Sequence, residues 1–480
     1  MTTSLSFLAL ARWEFRRLIA ERTGLALIAL WCLLLGLAAF QGWREARGRH
    51  EEIAAALAAD HLAWATKRSR LVEIEAGRAK PGAYSDPRSP TNSVMGRSGE
   101  RPLVLTPTPL SAVSAGSGDL APVIVRSGLI TKLLAPAQSI ENPANRLAGP
   151  LDLAFVVSVL LPLFVLALSF DVLARERDAK IWPLLASQPT SLRRIVTSRL
   201  AVHFAALWLP LVLATAMATA FSHAPSRSLF STVGEVSLWL GFAAVYLLFW
   251  QLLAAALNFR ERSSAANAVL LAGAWLASVL LIPSGIDALV QSIAPPPDRR
   301  EFLLEVRAIE TDLFKRAEEL RDAYYAANPA DRPQAALNEY DTYFVGNLYP
   351  RALAADAALA PTLAKVARER AAQAHWWRAL SWLSPTLAFR LATEQLAGVT
   401  PLQRSVLAER TREFQTQMRA VFGSKLASMT PLTLADYDRT PTPPVLALPF
   451  STRLHDAWPA LAGVLAATFA MILSLRRFVI

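Results

Sequence analysis

The sequence predicts a mainly α-helical polytopic membrane protein, with six transmembrane helices, an N-terminal interfacial helix, and a mostly helical extracytoplasmic domain with a small irregular or β portion. Three observations carry this. Six apolar segments have the length of a membrane span, the charge content is low, and basic residues gather on one side of the segments. Of 480 residues, 53% are hydrophobic and 18% charged, and the mean hydropathy is +0.31. Soluble chains carry about 25% charged residues. The single cysteine, Cys32, lies in an apolar run, so no intrachain disulfide can form.

The six segments are residues 24–41, 151–170, 200–221, 236–257, 265–286 and 457–475. Each approaches the ~20 residues needed to cross a hydrocarbon core. Pro283, Ser284 and Gly285 interrupt the end of the fifth. The stretch before the first contains Glu14 and Glu21 and reads as a helix in its own right, not as the leader of a signal peptide.

Basic residues near span ends set the orientation. Arg12, Arg16, Arg17 and Arg22 precede the first span; Arg175, Arg177, Lys180, Arg193, Arg194 and Arg199 lie between the second and third. Arg260 and Arg262 separate the fourth and fifth, and Arg476 and Arg477 follow the last. The short loop on the other side, 222–235, has only Arg227, while Arg44, Arg47 and Arg49 run against the trend. Both termini are therefore expected in the cytoplasm. The net charge of +11 becomes a matter of topology, and nucleic acid is not an expected partner.

Two large inserts, 42–150 and 287–456, then face outward. The first opens with a helical pattern that continues the first span and stops at Pro81-Gly82; "VIV" at 123–125 is its best strand candidate. The second reads as helices at 298–327, 333–355, 361–383, 385–396 and 401–429, several begun by proline. An extended segment returns to the last span.

Catalytic signatures are missing. No G-x-x-x-x-G-K-[ST] is present to cradle phosphates, no H-E-x-x-H to hold a metal, and no G-x-S-x-G to present a nucleophile. The chain is not expected to be an enzyme, nor to bind a cofactor or metal itself. No Asp, Glu, Lys or Arg falls near the middle of any predicted span, which disfavours an ion-coupled secondary transporter.

Two stretches carry more information. In "LSFLALARWEFRRLIAERT", Phe7, Leu8, Ala11, Phe15, Leu18 and Ile19 share one helical face, and Arg12, Glu14, Arg16, Arg17 and Glu21 the other. That is a helix lying in the membrane interface with its cations toward lipid headgroups. Its candidate contact residues are Phe7, Trp13, Phe15, Arg16 and Arg17. In "DVLARERDAKIWPLLA", Val172, Leu173, Ile181, Leu184 and Leu185 are apolar among Arg175, Glu176, Arg177, Asp178 and Lys180, and Gln188-Pro189 ends the pattern. The residues fit equally a surface on which a soluble partner pushes and a solvated loop obeying the charge rule.

The segment from Glu141 to Leu200 resembles the second span and coupling region of ABC-2 type permeases, in which "D-x-x-x-x-E-R-x-x-G-T" leads to "Q-P" and a basic re-entry. Asp171, Arg175, Glu176, Arg177, Gln188 and Pro189 match, and Ala179, Lys180 and Ile181 replace the usual glycine-threonine pair. The N-terminal helix resembles that family's elbow helix. "GDLAP" (118–122), "LSPTLAFRLATEQLAG" (383–398) and "DYDRTP" (436–441) resemble landmarks of the DUF3526-like subgroup with two large inserts. The resemblance implies a half-transporter of a bacterial inner membrane, forming a homodimer or pairing with a sister permease. It also implies a separate ABC ATPase subunit that binds ATP and Mg, and a coupling helix from Asp171 to about Gln188. In that helix Asp171, Arg175, Glu176, Arg177 and Lys180 would form a charged rim around an anchor of Ile181, Trp182 and Leu184. The large inserts suggest a bulky substrate or a periplasmic partner protein. The alternative is a non-transporting membrane scaffold that docks periplasmic partners.

Overall fold

The computed structural model describes residues 6–82, 85–114, 123–130, 151–181, 183–184, 187, 191–220, 229–260, 262–333, 348–398 and 400–479. Among these, six helices are long and apolar enough to cross a membrane: Arg22–Glu75, Leu153–Asp178, Arg193–Ala220, Leu229–Asn258, Ser264–Ile293 and Phe450–Arg476, here spans 1 to 6. They stand where the six apolar segments place them. Spans 2 and 4 form the centre: 67% and 56% of their most apolar windows are buried, against 17% for span 5. Trp31 of span 1 packs against Phe164 of span 2 with ring centroids 4.9 Å apart and the rings tilted, and its indole donates to the Leu207 carbonyl of span 3 at 2.9 Å.

Two spans contain a π-helical turn, Val156–Leu160 in span 2 and Ala277–Leu281 in span 5. Each lies just before a proline, Pro162 and Pro283. Proline has no N–H to donate, so a carbonyl one turn earlier loses its helical partner. Side chains supply the missing donors. Tyr246 Oη donates to the Ser158 carbonyl at 2.7 Å, and Ser384 Oγ donates to the Ser278 carbonyl at 2.6 Å. The interruption expected at Pro283 is thus a π turn within a continuous helix, which runs on to Ile293.

Part of the second insert packs into the bundle. Helix Pro385–Ala397 is buried inside the bundle, where Ala388, Phe389, Ala392 and Leu396 pack with residues of spans 4 and 6. Phe389 stacks on Tyr246 at 4.5 Å and on Phe242 at 5.0 Å. Helix Tyr349–Leu380 leads to it, laying Trp377 and Leu380 near Ile286 and Val290 of span 5. A turn at Ser381–Leu383 reverses the chain, and Ser384 caps the next helix by accepting from the Leu387 amide at 3.1 Å. The result is a re-entrant helical hairpin. Thr386 at its tip meets Tyr246, well inside span 4, at 2.9 Å, and Thr393 meets Trp239, two turns back along that span, at 3.2 Å.

Beyond the bundle, span 1 continues as one helix to Glu75, ending shortly before the predicted stop. Strand β1 (Arg101–Leu105) pairs antiparallel with β2 (Ile124–Ser127) and parallel with β3 (Val445–Leu446). The strand expected at 123–125 is β2, displaced by a residue; β1 and β3 were not anticipated. This sheet joins the two inserts, and Trp64, Leu71, Phe414, Met418, Phe422 and Tyr437 form the core beneath it. Arg101 pairs with Asp60 at 2.7 Å and donates to the Pro441 carbonyl at 2.7 Å. The helix expected over 298–327 is two, Arg299–Lys315 and Ala317–Ala327, and the one expected from Pro361 begins at Tyr349 and runs through that proline. "GDLAP" lies outside the described residues.

Candidate functional site

The turn at the C-terminal end of the span 2 range, after its helix breaks at Ser169 (hereafter the turn after span 2), is held from three directions. Asn258, fully buried at the end of span 4, accepts from the amides of Leu173 (3.1 Å) and Ala174 (3.2 Å) and donates to the carbonyls of Ser169 and Phe170, both at 3.1 Å. One side chain so satisfies both strands of the reversal, as a bend buried among apolar spans demands. Asp178 accepts from the Ser264 amide at the start of span 5 at 3.1 Å, and Arg177 donates to the Asn258 carbonyl at 2.6 Å.

The helical portion of the turn is Ala174–Asp178. The expected coupling helix from Asp171 to Gln188 is interrupted, because Lys180 takes φ of 60° in the left-handed region. In the ABC-2 pattern the glycine falls at this position. Glycine adopts such a backbone without penalty, whereas a residue with a Cβ is strained there by roughly 1 kcal/mol or more.

Third, the N-terminal helix (Phe7–Ala20) clamps the turn with charge. Arg199 of span 3, 5% exposed, pairs with Glu176 at 2.6 Å and Glu14 at 3.5 Å, and donates to the Val172 carbonyl. His203 sits 3.6 Å from Glu14 and hydrogen-bonds Ser169 at 3.2 Å. Nearer the surface, Glu21 binds Arg17 at 3.1 Å and Arg175 at 2.7 Å, while Arg175 also reaches Asp171 at 3.0 Å. Burial alone would raise the Glu14 carboxyl, but the His203 hydrogen bond and the charges of Arg17 and Arg199 hold it below the usual range. The Arg175 hydrogen bond does the same for Glu21 against a smaller opposing effect of burial.

The candidate residues therefore separate. Glu176 was expected on a charged rim; it is 6% exposed and pairs inside the chain with Arg199. Asp171, Arg175 and Arg177 are also engaged internally, Arg175 while exposed, and Lys180 stands exposed. Ile181 and Leu184 are 49% and 66% exposed, apolar groups left open among the described residues. Trp182, Gln188 and Pro189 lie outside the described residues. On the N-terminal helix, Phe7, Trp13, Phe15 and Arg16 are exposed and Arg17 is spent on Glu14 and Glu21. Glu14, read from the sequence as part of the water-facing side, is buried against span 3.

Sequence reasoning did not connect Glu14, Glu176, Arg199, His203 and Asn258, which no local spacing links. It also passed over Arg453, four residues before the predicted last span. That residue is 1% exposed and pairs with Glu235 of span 4 at 2.8 Å.

Residues 299–442 match a family model described as "Domain of unknown function (DUF3526)". The match takes in the outer helices, the re-entrant hairpin and "DYDRTP". Comparisons with curated proteins and with solved structures find no match.

Proposed function

We propose that the chain is the membrane-spanning subunit of an ABC-2 type transporter, exporter-like, in which a separate ATPase subunit binds ATP and Mg and drives movement of substrate across or out of the membrane. Both termini and the turn after span 2 then face the cytoplasm, in keeping with the arginine distribution, and the inserts face the periplasm. The subunit works as a dimer, with itself or with a sister permease.

The observation that carries this reading is the construction of the turn after span 2. Its base is fixed by Asn258, Arg199 and Glu14 to spans 4 and 3 and to the N-terminal helix, while among the described residues Ile181 and Leu184 stand exposed. A solvated loop has no need of buried ion pairs at its root, each of which costs desolvation. A lever that receives a push at its apolar tip and passes it to several helices needs such a root. The scaffold alternative has in its favour the long first helix and the sheet that ties the inserts together. The two are separated by co-purification: an ATPase subunit whose hydrolysis rises with this chain is the expected result. Recovery of the chain with envelope proteins alone, and with no ATPase, makes the scaffold the better account.

A further inference from the structure

The N-terminal helix leaves two cations unused. Arg12 and Arg16 are exposed, and among the described residues neither has a carboxylate within ion-pair distance. Their neighbour Arg17 is neutralised by Glu14 and Glu21. Beside them a cavity of about 520 Å³ opens between this helix and the first turns of the span 3 helix, lined by Ala9, Leu10, Arg12, Trp13, Arg16 and Ile195. Glu14 and Arg199, which pair with one another at 3.5 Å, form its polar floor. The floor charges cancel, and the two arginines leave the cavity electropositive.

The helix also sets the depth of this cavity. Leu8, Phe15 and Ile19 are 77%, 52% and 44% exposed, a stripe that only hydrocarbon can cover without cost. At 3.6 residues per turn, Arg12 falls about 20° and Arg16 about 60° round the helix from Ile19. The guanidinium groups therefore emerge at the boundary where acyl chains give way to headgroups. Trp13, 56% exposed, borders the same opening, and tryptophan favours that level of a membrane.

We propose that this cavity binds the headgroup of an anionic glycerophospholipid. Arg12 and Arg16, one helical turn apart, take the phosphate; Trp13, Leu10 and Ile195 cover the glycerol region, and the acyl chains run back along the Leu8, Phe15 and Ile19 stripe. A single lipid held there would set the tilt of the N-terminal helix, and through Glu14 and Arg199 the position of span 3. The proposal rests on membrane insertion and not on the transport role.

The test is native mass spectrometry of the delipidated full chain, re-exposed to equal amounts of phosphatidylglycerol and phosphatidylcholine. The wild type should retain phosphatidylglycerol selectively. Arg12→Gln with Arg16→Gln should lower that selectivity by on the order of tenfold, since each arginine near an anionic surface contributes severalfold to its attraction. Arg260→Gln with Arg476→Gln removes as much positive charge from the same side of the bundle and should leave the selectivity intact. Wild-type selectivity in the Arg12/Arg16 variant would overturn the proposal, as would an equal loss in the Arg260/Arg476 variant, which would mean bulk charge attraction only. Both arginines project from the helix surface, so folding is expected to survive; each single substitution gives an independent reading, expected at an intermediate value.

Discussion

Arg199 and Glu176 lie 2.6 Å apart inside the bundle, joining span 3 to the turn after span 2 across 23 residues of sequence. Removing one member of a buried pair leaves the other charged and without its partner, at a cost of about 3–5 kcal/mol. Glu176→Ala is therefore expected to lower the thermal unfolding temperature of the full chain in detergent by several degrees. An unchanged transition would show that Arg199 is satisfied by Glu14 alone.

Substitution at the exposed tip should behave in the opposite way. Leu184→Asp and Ile181→Asp change exposed side chains, so stability should change by less than about 0.5 kcal/mol. If the tip docks on an ATPase subunit, the same substitutions place a carboxylate in an apolar contact, and stimulation of ATP hydrolysis should fall at least tenfold. Full stimulation by Leu184→Asp, with both proteins folded, would sink the docking assignment.

On the insert side, Arg453 donates to the Leu396 carbonyl and pairs with Glu235 at 2.8 Å, tying span 6 to the re-entrant helix and span 4. Arg453→Met removes the buried ion pair with Glu235 and should cost about 3–5 kcal/mol. Glu235→Gln keeps an acceptor for the guanidinium and should cost only about 1–2 kcal/mol. Equal unfolding shifts for the two variants would show that the pair does not act as described.

The tip of the re-entrant hairpin offers a finer test. Tyr246→Phe keeps the ring stacked on Phe389 but removes the donor to the Ser158 carbonyl, a buried acceptor that Pro162, four residues on, has no N–H to serve. About 1–2 kcal/mol should be lost. Thr386→Val leaves that hydrogen bond in place and should cost less than Tyr246→Phe in the same assay.

Asp436 supplies a pH dependence. Burial pushes its carboxyl up, but the Lys425 hydrogen bond and two from Thr433 outweigh burial and hold it below the ordinary value. A carboxyl lowered by folding contributes its full stabilisation above the unfolded value of about 4, and loses it as pH falls through the folded value. Asp436→Asn should remove that part of the acid sensitivity. Measuring unfolding of wild type and variant at descending pH should bring the two curves together; curves that stay parallel would show that Asp436 carries no linkage.

How much of this could be read beforehand followed a physical pattern. The six spans were legible because apolar length is itself the requirement for crossing a membrane. Helix 385–396 was legible as a helix but not its packing into the bundle, since it is shorter than a span and carries Arg390 and Glu394. In the structure those two pair with each other at 3.0 Å on the helix's outer side while Ala388, Phe389 and Ala392 turn inward. The exposed Ile181 and Leu184 were visible as apolar residues in a charged segment. The cluster at the root of the turn was not, because Glu14, Glu176 and His203 meet only once three helices have packed. At Lys180 the residue type gives no sign of a left-handed backbone, and only the structure showed it.

The single helix from Arg22 to Glu75 has a mechanical consequence. From Gly42 to Glu75 it extends about 50 Å beyond the first span, at 1.5 Å per residue. A tilt of only about 5° where Trp31 meets Leu207 would sweep its far end, with Trp64 and Leu71 embedded in the insert core, through roughly 6 Å. Small rearrangements at the N-terminal helix thus arrive at the distant domain magnified, as displacement at the long arm of a crank.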